Sequence, residues 1–286
     1  MSETLSAARL PTLLSNESAR VGGADFDIKV RGDTLWCTRK ATSSASVTLA
    51  QLHQQRALDD SLLRGDFGAV KWKVLRSAQP SIFSLGGDLD LFLSCIRQND
   101  HDTLLQYAVL AAHCVWLNAS GFGARRLRTV ALVEGEAQGG GFEAALSCHW
   151  IIATRGSSFG FPESLFGMRP GMGGRLMLAG RIGSESAEKM VSSANRYSAE
   201  FLHEIGVVDM LVSDKEGYAA AEELIRLGRP PGLDAKPREP SRLRFENFLE
   251  EVEAWVDETR TLSPKHQRSM RYLLDAQRKS GKLPAS

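Results

Sequence analysis

The chain has 286 residues, with 35 Lys+Arg against 34 Asp+Glu, a formal net charge of +1 and 43% hydrophobic residues. These proportions exclude a disordered chain, a collagen-like repeat and a disulfide mini-scaffold. The length suits one large domain with or without a small appendage, and the balanced charge excludes a nucleic-acid binder that works by counterion displacement.

Residues 1–24, rich in Ser, Ala and Gly, are expected to form a loose arm. Met1 to Asn16 shows no basic start followed by an apolar run, and no apolar stretch approaches the ~20 residues of a membrane helix. A cytoplasmic protein without membrane contact is therefore expected. Phe26 to Val30 and Leu35 to Arg39 read as strands joined at Arg31-Gly32-Asp33. Val47 to Leu63 carries leucines at helical spacing. Val70 to Ser77 alternates apolar and polar residues, the pattern of a half-buried strand. Ile82 to Leu85 leads into Gly86-Gly87-Asp88, with a helix from Leu89. Thr103 to Leu117 reads as a helix packed through Leu104, Ala108, Ala112 and Val115.

Arg128 to Val133 reads as a strand, followed by Gly139-Gly140-Gly141, a small-residue helix from Phe142 to Ser147 and a strand from Trp150 to Thr154. Repeated strand–turn–helix units indicate α/β architecture. Ala187 to Ser193, Ala199 to Ile205 and Gly217 to Leu227 read as helices, with a strand at Val207 to Val212. A connector at Pro230 to Pro240 precedes two final helical segments. In the first, Phe245, Phe248, Leu249, Val252, Trp255 and Val256 form an apolar stripe, read as core with a share left for a substrate pocket or subunit contact. Cys37, Cys95, Cys114 and Cys148 lack C-x-x-C spacing and the six histidines lack metal-site spacing, so buried thiols and no metal are expected.

The chemistry concentrates between Val133 and Gly174. Glycines between a strand and a helix let the backbone approach a ligand and present amide N–H groups at a helix start, where negative charge is favoured. Glu143 sits in the first turn of that helix, and Glu163 follows in Phe161-Pro162-Glu163. Two carboxylates beside a glycine-built anion site are the parts needed to move protons next to a carbonyl. Taken singly, Glu143 serves equally well as a helix-dipole partner and the glycines as a turn; their combination carries the reading. Gly156-Ser157-Ser158-Phe159-Gly160 fits G-x-S-x-G, but Phe161-Pro162 prevents the helix that a nucleophile elbow requires. No phosphate-loop or dinucleotide fingerprint is present, and no cofactor is expected. Arg125, Arg126 and Arg128 form a basic cluster, read as a solvated loop or as a phosphate or acidic-partner contact.

These residues resemble the crotonase (enoyl-CoA hydratase/isomerase) superfamily. Gly86-Gly87-Asp88-Leu89 is similar to its first oxyanion turn, and Gly139 to Glu143 to its second turn with the first catalytic glutamate. Phe159 to Glu163 is similar to the segment bearing the second glutamate. Gly171-Met172-Gly173-Gly174, Ser198-Ala199-Glu200 and Gly206-Val207-Val208-Asp209 match later signatures. The resemblance implies a spiral of ββα units over residues 25–212 and a helical C-terminal region over 213–286, a pocket lid that also packs on neighbouring subunits, commonly in trimers. It implies that the Gly87 and Gly140 amides bind a thioester oxygen while Glu143 and Glu163 exchange protons at the α- and β-carbons. Which glutamate is the acid stays open.

Within the superfamily, VEGEAQGGGFEAAL, FGFPESLFGM and AVKWKVL resemble the diffusible signal factor synthases of bacterial quorum sensing. That resemblance implies dehydration of a 3-hydroxyacyl group on acyl carrier protein to a cis-2-enoyl group, then thioester hydrolysis. The turn after Gly87 lacks the lysine often found in CoA-binding relatives, which favours a carrier-protein thioester. Met172, Trp255 and Leu273 are the candidate pocket lining. The alternatives are a CoA-dependent enoyl hydratase and, from another class, a module binding a sensor-kinase receiver domain.

Overall fold

The computed structural model describes residues 9–14, 23–231, 243–279 and 282. Most of the Pro230 to Pro240 connector lies outside them. Part of the N-terminal arm does too, but its described portion is more ordered than expected: Leu10–Leu13 forms helix α1, with Leu13 buried in the main core. Its leucines bury apolar surface that the Ser/Ala-rich composition of the arm concealed.

Strands β1 (Phe26–Arg31) and β2 (Thr34–Arg39) form an antiparallel hairpin, closed at Gly32 with φ +59°. Helix α2 (Leu49–Arg64) follows, started by a capping box between Thr48 and Gln51 and stopped by Gly65 in the left-handed region. The chain then repeats one unit. Strand β3 (Trp72–Ser77) leads to β4 (Ile82–Ser84) and helices α3 (Leu89–Gln98) and α4 (His101–Ala119). Strand β5 (Arg128–Val133) leads to β6 (Glu136–Gln138) and α5 (Gly140–Leu146). Strand β7 (Trp150–Thr154) leads to β8 (Ser158–Gly160), a 3-10 turn at Pro162–Phe166 and α6 (Gly174–Ile182).

The remainder comprises α7 (Ser184–Ser192), β9 (Arg196–Ser198), α8 (Ala199–Glu204), β10 (Met210–Val212), α9 (Gly217–Leu227), α10 (Phe245–Arg260) and α11 (Pro264–Lys279). The first strand of each repeat joins a six-stranded sheet of order β1-β2-β3-β5-β7-β10, and the second joins a four-stranded sheet of order β4-β6-β8-β9. This is the α/β spiral of ββα units implied by the resemblance, with C-terminal helices packed on it. Beyond the β1–β2 hairpin the six-stranded sheet is parallel throughout. Such sheets are covered on both faces.

That coverage explains one departure from the sequence reading. Lys73 in β3, which the alternation pattern turned toward solvent, is wholly buried and pairs with buried Asp59 of α2 at 2.7 Å. Its ammonium also donates to Asn118 at 3.0 Å and lies 4.8 Å from the Phe122 ring centroid. Similarly, α4 is buried on nearly all sides rather than one, because α2, α3 and α10 pack around it. Strands β6, β8 and β9 escaped the sequence reading because each has three residues, too few for a visible alternation. Helix α6 was hidden by the glycines that precede it.

All four cysteines are buried and free. Among the described residues, no helix is long and apolar enough to cross a membrane.

Candidate active site

The site lies where the second strand of each of three successive repeats ends. After β4, the Val47 amide donates to the Gly86 carbonyl at 2.8 Å, and Asp88 caps α3 by accepting from the Leu91 amide at 3.1 Å. These contacts fix the turn that presents Gly87. After β6, Gly139 at φ +51° starts α5 with no side-chain cap. Gly140 is then the first residue of the helix, where amides have no intrahelical acceptor. The two turns touch: a Cβ built on Gly140 would lie 3.8 Å from the Gly87 nitrogen. Two amides from separate repeats thus stand side by side, as an oxyanion hole requires.

Glu143 occupies the first turn of α5 and is 1% exposed. Its Oε1 accepts from the Met172 amide at 2.8 Å and the Gly174 amide at 2.9 Å. Both bonds fall on one oxygen, which leaves Oε2 for another partner. Burial, and then the neighbouring Glu163, raises the Glu143 pKa well above the ordinary carboxylate value, against the pull of the two amides. Glu163 follows β8 in the 3-10 turn that Pro162 begins. Its Oε2 is closed to solvent and has no hydrogen-bond partner, and burial pushes its pKa up to about 7. Strongly perturbed carboxylates in one cleft mark a site of proton transfer.

Gly87, Gly140, Glu143, Glu163, Met172 and Trp255 line one small cavity of about 50 Å³. It joins two further chambers. One, of about 40 Å³, also takes in Phe92, Met168, Met270 and Leu273 and lies under α10 and α11. The other, of about 130 Å³, lies between α2 and α4 and shares Gly87, Gly140 and Met172. Of the residues singled out in the sequence as catalytic, oxyanion-binding or pocket-lining, all but Leu273 meet at this junction, and Leu273 lines the adjoining chamber. Trp255 belongs to both core and pocket: it is 7% exposed and its ring meets Phe92 edge-on at 5.1 Å.

Three participants were missed. Tyr107 of α4 lines the junction and donates to the Val47 carbonyl at 2.6 Å, tying α4 to the Gly87 turn. Phe92 of α3 packs so closely on Gly87 that a Cβ there would lie 2.6 Å from its ring. Glu251 of α10 is 8% exposed and accepts from the Gly173 amide at 2.9 Å. A signal for Glu251 existed: it lies between Phe248 and Trp255 at helical spacing, a carboxylate on an apolar face.

The remaining candidates lie elsewhere. Ser158 is held in β8, paired with Glu136 and Ser198, which fits its rejection as a nucleophile. Arg125 and Arg128 donate to the carbonyls of Leu62 and Gly228. Among the described residues, no group of three or more His, Cys, Asp or Glu side chains could hold a metal ion.

Known proteins share part of this sequence and its fold. A fatty acid oxidation complex subunit alpha from Pseudomonas paraeruginosa is 30% identical over 197 residues, covering 69% of this chain and 26% of that protein. The chain thus spans about a quarter of the length of such relatives. The fold is similar to enoyl-CoA hydratase from Bacillus halodurans, with TM-score 0.71, 17% identity and coverage of 87% of this chain and 100% of that one. It is also similar to DspI from Pseudomonas aeruginosa, with TM-score 0.61, 22% identity and coverage of 93% and 97%. Residues 56–227 match the enoyl-CoA hydratase/isomerase family, and the chain belongs to that family.

Proposed function

We propose that the protein makes a cis-2-unsaturated fatty acid signal of the diffusible signal factor type. It does so by dehydrating a 3-hydroxyacyl group on acyl carrier protein and then hydrolysing the thioester. The observation that carries this reading is the pair of carboxylates with raised proton affinity, Glu143 and Glu163, in one cavity with the amides of Gly87 and Gly140. The sequence resemblance to the signal synthases supports the finer assignment.

The proton affinities suggest the roles. Glu163, with its pKa near 7, ionises readily and takes the α-proton. Negative charge moves onto the thioester oxygen, where the Gly87 and Gly140 amides receive it. Glu143, whose proton affinity is raised by burial and by the neighbouring Glu163, gives a proton to the β-hydroxyl, and water departs. Glu143 is now ionised and Glu163 protonated. In the second step Glu143 takes a proton from an attacking water, the same amides hold the tetrahedral oxyanion, and Glu163 protonates the departing thiolate. Both carboxyls return to their starting states. One oxyanion hole serves both steps because both place charge on the same oxygen.

Both chambers reach Gly87, so a thioester there directs its acyl tail one way and its pantetheine arm the other. The chamber with Trp255, Met270 and Leu273 is assigned to the tail. The chamber with Arg39, Gln51 and Gln55 offers hydrogen-bonding groups to the pantetheine amides. A trimer, a cytoplasmic location and docking of a sensor-kinase receiver domain belong to the same reading.

Incubation with 3-hydroxyacyl carrier protein and, separately, with trans-2-enoyl-CoA tests it. Release of a free cis-2-unsaturated acid is expected, and Glu143→Ala should reduce it at least ~100-fold while the fold persists. Rapid hydration of the enoyl-CoA with no acid released would instead make the protein a CoA-dependent hydratase. Receiver-domain binding without turnover of either thioester would make it a binding module.

A further inference from the structure

The segment before α6 is held by two carboxylates, and only one of them belongs to the proposed proton relay. The amides of Met172 and Gly174 donate to Glu143, while the amide between them, Gly173, donates to Glu251. Three successive N–H groups are thus divided between opposite sides of one turn. Gly173 has φ +89°, the left-handed backbone that glycine tolerates, and a Cβ there would lie 2.4 Å from Phe248. A Cβ on Gly171 would lie 2.6 Å from Trp255. Phe248, Glu251 and Trp255 lie on one face of α10, so this face moulds the turn, and the turn in turn holds Glu143.

Burying a carboxylate is unfavourable unless its position matters or its bonds compensate. Glu251 has one amide bond, and its Oε1 lies 3.7 Å from Arg175 Nε without a hydrogen-bond partner. For anchoring α10 alone, such a group is a poor choice beside an apolar side chain. Burial pushes its own pKa up to about 7, and as it ionises its negative charge raises the proton affinity of Glu143 across the turn.

We propose that Glu251 is a positioning residue for Glu143. Through Gly173 it fixes the turn that orients the Glu143 carboxyl, and through its charge it keeps that carboxyl a proton donor. The groups facing this pair are Glu163 from the 3-10 turn, Tyr107 from α4, Arg175 from α6, and Arg169 from the segment before α6. Arg169 is itself tied to Glu258 on α10. The inference rests on the proposed function only in taking Glu143 as a proton-transfer group.

Two variants separate the parts of the role. Glu251→Gln keeps an oxygen acceptor for the Gly173 amide but removes the charge. Glu251→Ala removes both. The titration of Glu143 is read by NMR on protein carrying 13C-labelled glutamate carboxyls, with Glu143→Gln to assign the signal. Removing a nearby negative charge lowers the proton affinity of a carboxyl, so the Glu143 midpoint should fall in Glu251→Gln by at least about half a pH unit. In turnover, the alkaline limb of kcat should move the same way, with kcat at the optimum within about threefold of the unsubstituted protein. Glu251→Ala should lower kcat at least about tenfold and change KM less than about threefold, because a displaced acid harms the chemical step more than binding.

A folded Glu251→Ala with unchanged kcat, or a Glu143 midpoint unmoved in Glu251→Gln, overturns the proposal. If Glu251→Ala fails to fold, the Glu251→Gln titration decides alone. Absence of turnover on a carrier thioester would count against the proposed function and leave the titration result standing.

Discussion

Gly139 lies directly against Glu163: a Cβ at this glycine would sit 2.5 Å from the carboxylate Oε1. The contact joins the turn that presents the Gly140 amide to the second carboxylate of the site. With φ +51° at Gly139, an alanine there meets both backbone strain and the carboxylate. Gly139→Ala should therefore lower kcat at least ~100-fold by displacing Glu163. Gly140→Ala meets only the flexible end of Met172, 2.5 Å away, and should fold more normally while narrowing the oxyanion hole. Circular dichroism for fold and single-turnover rates for chemistry separate the two. Equal rates for Gly139→Ala and the unsubstituted protein would remove the contact from the mechanism.

Glu163 also couples stability to pH. Burial raises its folded-state pKa from 4.5 to about 7, so the folded protein binds a proton that the unfolded chain has released. The sign follows directly. The stabilising contribution is fully present below about pH 4.5 and is lost as pH rises through about 7. Glu163→Gln cannot ionise and escapes that loss, so it should be more stable than the unsubstituted protein at pH 8, by up to about 3 kcal/mol. Near pH 4.5 the two should coincide. Urea unfolding at both pH values checks this, and a variant less stable at pH 8 contradicts it. Such a gain in stability alongside lost activity is the usual trade-off at a strained site.

The chain announced its site more clearly than its fold. Glycine clusters and carboxylates leave local marks, so the Gly139 to Gly141 turn, Glu143 and Glu163 stood out by residue type and spacing, while Gly87 entered through the family resemblance. Glu251 was not singled out because its role exists only once α10 packs against the turn at 171–174, far away in sequence. The six-stranded sheet was legible strand by strand, yet its double coverage was not. Alternation in β3 made Lys73 look solvated, whereas the side chain points into a polar pocket between α2 and α4. The four-stranded sheet was illegible for a simpler reason. Its three-residue strands draw their stability from pairing with distant partners, which no local pattern records.

The Lys73–Asp59 pair gives a direct test of that buried polar cluster. Both side chains are fully shielded, and Asp59 Oδ2 has no hydrogen-bond partner. Removing one charge strands the other in a poorly solvating interior. Lys73→Met should therefore destabilise the protein by about 3–5 kcal/mol. Adding Asp59→Leu should recover much of that loss, because an apolar pair of similar size has no desolvation penalty. Denaturant midpoints for the two single variants and the double variant complete the cycle. Additive losses would mean that the charges act independently, contrary to their 2.7 Å separation.

The acyl chamber under α11 makes chain length the last testable property. Leu273 and Met270 project from α11 into the cavity that Trp255 and Glu163 also line, so α11 forms its far wall. A larger residue there should shorten the tail that fits without touching the carboxylates or the paired amides. Leu273→Trp is expected to lower kcat/KM for a twelve-carbon acyl group at least about tenfold relative to a six-carbon group. Each buried methylene contributes about 0.8 kcal/mol, so excluding two is enough for that ratio. Competition between the two thioesters in one reaction measures the ratio directly. If Leu273→Trp changes both substrates equally, the tail lies in the other chamber, and a bulkier residue at Ala111 of α4 should then impose the chain-length limit.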